Sequence, residues 1–230
     1  MARIKWGMFV TDGRGKVGGH VLTKTRSGAT VRTKVTPSNP KTSFQGEVRA
    51  IFGSVSKRWT TLSEHQRLTW INASEDFKRT NVFGDQYKPS GKNLFTAINS
   101  NLLNIGSAML DHAPEVLETP YISILTVSVS QDLGQISLDY QSSDVARSYF
   151  LVLEATAPLS AGKYNFSGQY RKIGVWDGGT TPDDEELYAF YVAKFGVPPL
   201  GKKISFRTKA VMLLSGLASP VTTIDAIVGA

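Results

Sequence analysis

At 230 residues, with 41% hydrophobic and 20% charged side chains, the chain has ample material for a folded core. It contains no cysteine, which excludes disulfide scaffolds, thiolate metal sites and cysteine nucleophiles and fits synthesis in a reducing cytoplasm. The net charge of +7 is concentrated at one end: residues 1–60 hold 12 Lys/Arg against 2 acids, Asp12 and Glu47, while residues 121–230 hold 9 against 10. A local bias of this kind attracts nucleic acid, anionic lipid or an acidic protein surface. No apolar run reaches the roughly 18 residues of a membrane helix. The start, MARIKWGMFVTDGRGK, has no long apolar stretch after its charges and does not read as a signal peptide.

Residues 1–36 read as a basic β arm. Ile4, Trp6, Met8 and Val10 alternate, which predicts a strand. Gly13, Gly15 and Gly18 then spell G-x-G-x-x-G, the dinucleotide fingerprint. That fingerprint needs a following helix, because the pyrophosphate sits on the helix N-terminus. Here a Val- and Thr-rich stretch follows with Ser27-Gly28 at its centre, so the glycines read as a turn and the stretch as a hairpin, 20–26 against 29–35. No acid lies between Asp12 and Glu47 to bind a ribose. Alternation places Lys24, Arg26, Arg32 and Lys34 on one face, with Val21, Thr23, Thr25, Val31, Thr33 and Val35 on the other. With Arg14 and Lys16, these four cations are the candidate contact for a polyanion or a neighbouring subunit.

Residues 37–117 read as helical. Asn39 is a predicted cap with Pro40 at the first helical position. Phe44, Val48, Ile51, Phe52, Val55 and Trp59 follow at helical spacing. After a turn at 60–62, Ser63 and Gln66 form a capping-box pattern for a second helix, with Leu68, Trp70, Ile71 and Phe77 on its face. A Gly/Pro loop precedes a third helix over 92–105, with Leu94, Phe95, Ile98, Leu102 and Ile105 on one face and Asn93, Asn99, Asn101 and Asn104 as its polar complement. Trp59, Trp70, Phe52, Phe95 and Leu102 are the expected core.

Two resemblances arise here. SKRWTTLSEHQRLTWINASEDFKR (56–79) looks like the second and third helices of an HMG box, which implies minor-groove DNA bending by an apolar wedge. It covers two helices only. A wider likeness joins NPKTSFQ (39–45), Arg49, Phe52, Trp59-x-x-Leu62, Arg67, Trp70, Ala73 and GKNLFTAIN (91–99). That set resembles a pattern in bacteriophage and prophage proteins of the structural gene modules. It implies a virion-associated, non-enzymatic protein and brings no catalytic residues.

Pro114 and Pro120 bracket a linker, and residues 118–230 then read as a β-sandwich of about seven short strands. In ISLDYQ, Ile136, Leu138 and Tyr140 point inward; in KISFRTKAV, Ile204, Phe206, Thr208 and Ala210 do. Alternation of Leu187, Ala189, Tyr191, Ala193 and Phe195 predicts a strand over 183–196, after a solvated turn of four acids. PPLGKKISFRTKAV (198–211) and LSGLASPVTTIDAIV (214–228) resemble the F and G strands of a fibronectin type III domain. Ile204 stands where that family has its corner tyrosine and Tyr140 where it has tryptophan, so an immunoglobulin-like sandwich explains the segment equally well. The long loop 163–182 carries Tyr164, Tyr170 and Trp176; Trp176 is either a binding tip or a packed aromatic.

The predicted class is therefore α+β, in three parts: 1–36, 37–117 and 118–230. His20, His65 and His112 lie in separate elements at no metal-ligand spacing, and no nucleophile or metal motif is present, so no catalytic, cofactor or metal residue is assigned. The resemblances imply a structural or accessory protein of a tailed-phage virion, made in the bacterial cytoplasm. Its expected partners are other virion proteins and packaged DNA, within an oligomeric assembly and without a membrane. The alternatives are a DNA-binding protein using residues 1–80 and a carbohydrate- or surface-binding module using Trp176.

Overall fold

A computed structural model describes residues 2–8, 12–115, 119–142, 149–178 and 183–230. The protein is α+β, and its chain divides into two compact units: Met1–Ser100 with Leu110–Ala113, and Asn101–Met109 with Pro114–Ala230.

The first unit begins with a four-stranded antiparallel sheet ordered β1-β4-β3-β2: β1 (Ala2–Ile4), β2 (Gly15–Val17), β3 (His20–Thr25) and β4 (Gly28–Thr33). The predicted first strand ends early, at Ile4, and Val10 lies outside the described residues. The fingerprint glycines build strand and turn, with β2 returning directly into β3.

Helix α1 (Ser43–Thr61) starts three residues later than the sequence suggests. Asn39 Oδ1 accepts from the Lys41 N–H at 3.3 Å, and Lys41 takes a left-handed backbone with φ of 52°. A helix cannot run through that conformation. Thr42 caps instead, its hydroxyl accepting from the Gln45 N–H. The buried seam of α1 is narrow: Val55 and the following Leu62 are buried, whereas Phe52 is 49% exposed and leaves the expected core. Helix α2 (Glu64–Ala73) carries the full capping box at Ser63 and Gln66. Arg67 turns back to donate to the Trp59 and Thr60 carbonyls, closing the open end of α1.

A two-stranded ribbon, β5 (Arg79–Thr80) and β6 (Gln86–Tyr87), leads to α3 (Gly91–Asn104), whose face of Leu94, Phe95, Ile98 and Leu102 is buried. Phe95 is the hub, with ring centroids 5.2 Å from both Trp59 and Trp70. Gly91 makes this possible. A Cβ there would lie 2.8 Å from the Ile71 side chain and 2.9 Å from its backbone nitrogen. Buried Asn99 donates to the Leu110 carbonyl and accepts from the Leu110 N–H, and Trp70 Nε1 donates to the Asp111 carbonyl. Arg58 grips the Asp111 carboxylate with two donors. That contact holds the Asp111 carboxyl below its usual range.

The second unit holds β7 (Ile122–Ser130), β8 (Gln135–Ser142), β9 (Tyr149–Ala155), β10 (Arg171–Asp177), α4 (Asp184–Phe195), β11 (Lys203–Met212) and β12 (Thr222–Gly229). Antiparallel β10-β9-β11-β12 continues through a two-residue parallel pairing of β12 with β7, and so to β8. The sheet curls, because Ile136 and Leu138 of β8 share one core with Leu153 of β9, Phe206 of β11 and Val228 of β12. Ile204, Phe206, Thr208 and Ala210 are buried as the alternation predicts. The other face of β11 is polar: Arg207 pairs with Glu154 and lies over Tyr170, and the Ser205 hydroxyl donates to Asp225.

Two expectations fail here. Residues 184–195 are a helix, not a strand. Leu187, Tyr191 and Phe195 lie four apart, a spacing common to both periods, but half-buried Tyr188 belongs only to the helical set. The acids Asp184, Glu185 and Glu186 occupy its first turn, Lys194 its last, and Gly196 ends it with φ of 82°. The predicted loop 163–182 contains β10, which pairs with β9; residues 179–182 lie outside the described residues.

Gly91→Ala should lower stability by about 1–3 kcal/mol through overpacking, whereas Gly46→Ala, where a Cβ meets nothing within 4 Å, should raise it by roughly 0.5–1 kcal/mol. Thermal melts of the two variants check both signs. The Arg58–Asp111 pair depresses a carboxylate, so its contribution is present above the unfolded carboxyl's value and is lost as pH falls through the lower folded one. The melting difference between wild type and Asp111→Asn should accordingly be open at pH 7 and close below about pH 4.

Candidate polyanion interface

Pairing in the basic sheet follows from its turn. Arg26 and Ser27 form a two-residue connection, so Thr25 pairs with Gly28 and each partner pair joins an odd with an even position. Directly paired residues share a face. Lys24 therefore lies with Leu22, Ala29 and Val31, while Arg32 lies with Val21, Thr23 and Thr30 on the opposite face. The expected single face of Lys24, Arg26, Arg32 and Lys34 does not exist. It would require an odd-length loop, in which even positions pair with even ones. Arg26 is in the turn and Lys34 follows β4, its N–H donating to the Gly19 carbonyl.

The six candidates divide by their surroundings. Lys24 and Arg14 reach Asp12 at 3.5 and 3.8 Å. The Gly13 N–H, aided by these cations, holds the exposed Asp12 carboxyl below its ordinary range. Lys16, Arg26, Arg32 and Lys34 are exposed and, among the described residues, have no acidic partner.

Register extends the second face. Arg3 of β1 pairs with Thr30, and Lys16 of β2 pairs with Val21, so Arg3, Arg32 and Lys16 share one face. At the turn end of that face lies a cavity of 470 Å³. Arg3, Arg26 and Arg79 all line it, with Thr30, Tyr87 and Asn93, and among the described residues no carboxylate does. Arg79 and Tyr87 are direct partners across β5 and β6 and so project to the same side. The Ser27 carbonyl accepts from Arg3 Nη1 at 2.6 Å and from Asn81 Nδ2 at 3.0 Å, which fixes the turn against the ribbon. Sequence reasoning missed Arg3 and Arg79, because nothing local links positions 3, 26 and 79.

Trp176 is no loop tip. It lies in β10, packs on the core of the second unit, and meets the Phe190 ring edge-on at 5.9 Å. Trp59 and Trp70 are likewise structural: Trp70 is fully buried and Trp59 rests on Phe95, so neither ring is free to act as a DNA wedge.

Comparison with protein-family models, with curated proteins and with solved structures found no match.

Truncating Trp176→Ala should cost on the order of 2–4 kcal/mol of stability, as large-to-small core changes do. A chemical-denaturation curve checks this, and an unchanged midpoint would contradict the packing role.

Proposed function

We propose that this chain is a non-enzymatic structural or accessory component of a tailed-phage virion. Its basic N-terminal unit anchors it to neighbouring capsid, portal or tail subunits, and its C-terminal unit makes protein contacts as a fibronectin III- or immunoglobulin-like module. One observation carries the reading. Several residues of the phage-like pattern, though not Arg49 or Phe52, act together in the first unit. Thr42 caps α1, Arg67 closes its far end, Gly91 admits the backbone of α2, and Trp59, Trp70 and Phe95 meet at one point.

The strand order supports the module assignment. One sheet of an immunoglobulin-type sandwich is built from the C, F and G strands. In chain order β9, β11 and β12 are neighbours in the same way, with β10 beside β9 in the C′ position. Helix α4 stands where that fold has its D–E strands. The charge asymmetry supports the division of labour between the units.

Mass spectrometry of particles and assembly intermediates, purified from the phage or induced prophage that encodes the chain, tests the reading. Peptides should appear at a fixed ratio to a major virion protein. Absence from both preparations overturns it.

A further inference from the structure

We propose that the three-arginine cavity of the first unit binds a phosphodiester of a nucleic-acid strand, with the flanking sheet face guiding the neighbouring phosphates. Arg3, Arg26 and Arg79 come from three separate segments and converge on one cavity with no acid in its wall among the described residues. Like charges gathered without a counter-charge are costly, and a bound anion relieves that cost. Guanidinium groups suit the purpose, because their planar fork meets phosphate oxygens in pairs. Arg3 is preorganised by its bond to the Ser27 carbonyl, whereas the side chains of Arg26 and Arg79 have no hydrogen-bond or ion-pair partner among the described residues.

Two features favour a strand over a free phosphate. The cavity's 470 Å³ lies in the range of small-molecule sites and exceeds what a lone phosphate fills. Half-buried Tyr87, paired with Arg79, gives a ring on which a base can stack. The cations also continue out of the cavity. Arg32 lies two residues beyond Thr30 on the same face, about 6.7 Å along the strand, and Lys16 follows across Val21. A track of positive charge leading from a pocket fits a polymer of phosphates.

This inference deepens the virion reading by naming a partner chemistry, and it is tested separately. Full-length protein is titrated into a short fluorescein-labelled single-stranded DNA, followed by anisotropy at several salt concentrations. Arg26→Ala and Arg79→Ala should each weaken binding about fivefold and make the salt slope shallower by about 0.7, the value for one lost phosphate contact on a single strand. Lys202→Ala, an exposed lysine of the second unit, should leave both unchanged. Neither arginine side chain makes a hydrogen bond or ion pair among the described residues, and matching melting curves confirm that each variant is intact. Inorganic phosphate should compete only weakly. Wild-type affinity in both arginine variants overturns the proposal. So does binding to phosphatidylglycerol vesicles, or to inorganic phosphate, with none to DNA. If particles contain the protein and the DNA does not bind, the virion reading stands and this one fails.

Discussion

The first unit depends on the approach of α3 to α2. Gly91 lets the start of α3 lie against the Ile71 backbone, and only then does Phe95 reach both tryptophans. Edge-on aromatic contacts add to what burial alone supplies. The segment after α3 is then drawn back over the helices. Trp70 offers its indole N–H to the Asp111 carbonyl, Asn99 satisfies both backbone groups of Leu110, and Arg58 holds the Asp111 side chain. Apolar contact gives this core its energy, while Trp70 Nε1 and Asn99, each with its partner, help give it one arrangement.

A different solution closes the second unit. A curled sheet whose hairpin joins by only two parallel pairs leaves a gap over its concave side, and α4 fills it with Leu187 and Tyr191. The Tyr191 hydroxyl donates to the Thr156 carbonyl, so the ring is buried with its polar atom satisfied, and burial pushes its phenol well above the ordinary value. Polar residues on the outer face of β11 engage one another across strands. The inner face carries the packing.

Much of this was legible from local signals. The capping box at Ser63, the apolar face of α3 and the inward alternation of β8 and β11 are short-range patterns, and each appears where the spacing places it. Errors arose where one pattern admits two readings. Leu187, Tyr191 and Phe195 satisfy both period two and period four, and the acids before them fit a solvated turn as well as the helix start they make. Asn39 and Pro40 imitate a helix start, but the backbone of Lys41 decides the boundary. Trp176 lies in the glycine-rich stretch 163–182 beside Asp177-Gly178, which reads as a loop, yet Gly174 is where the Trp176 ring of β10 needs space. The arginine cavity was invisible for a different reason. It joins positions 3, 26 and 79, and only the folded register brings them together.

The turn at Arg26 and Ser27 has a consequence that reaches past its own size. Because it contains two residues, it mixes cations with threonines and valines on each face of the sheet. Were the pairing of the two strands shifted by one residue, Lys24 and Arg32 would join His20, Leu22 and Thr30 on one face, and the other face would hold no cation from these strands. The face on which each cation of this hairpin lies is thus set by strand register as much as by the choice of side chains.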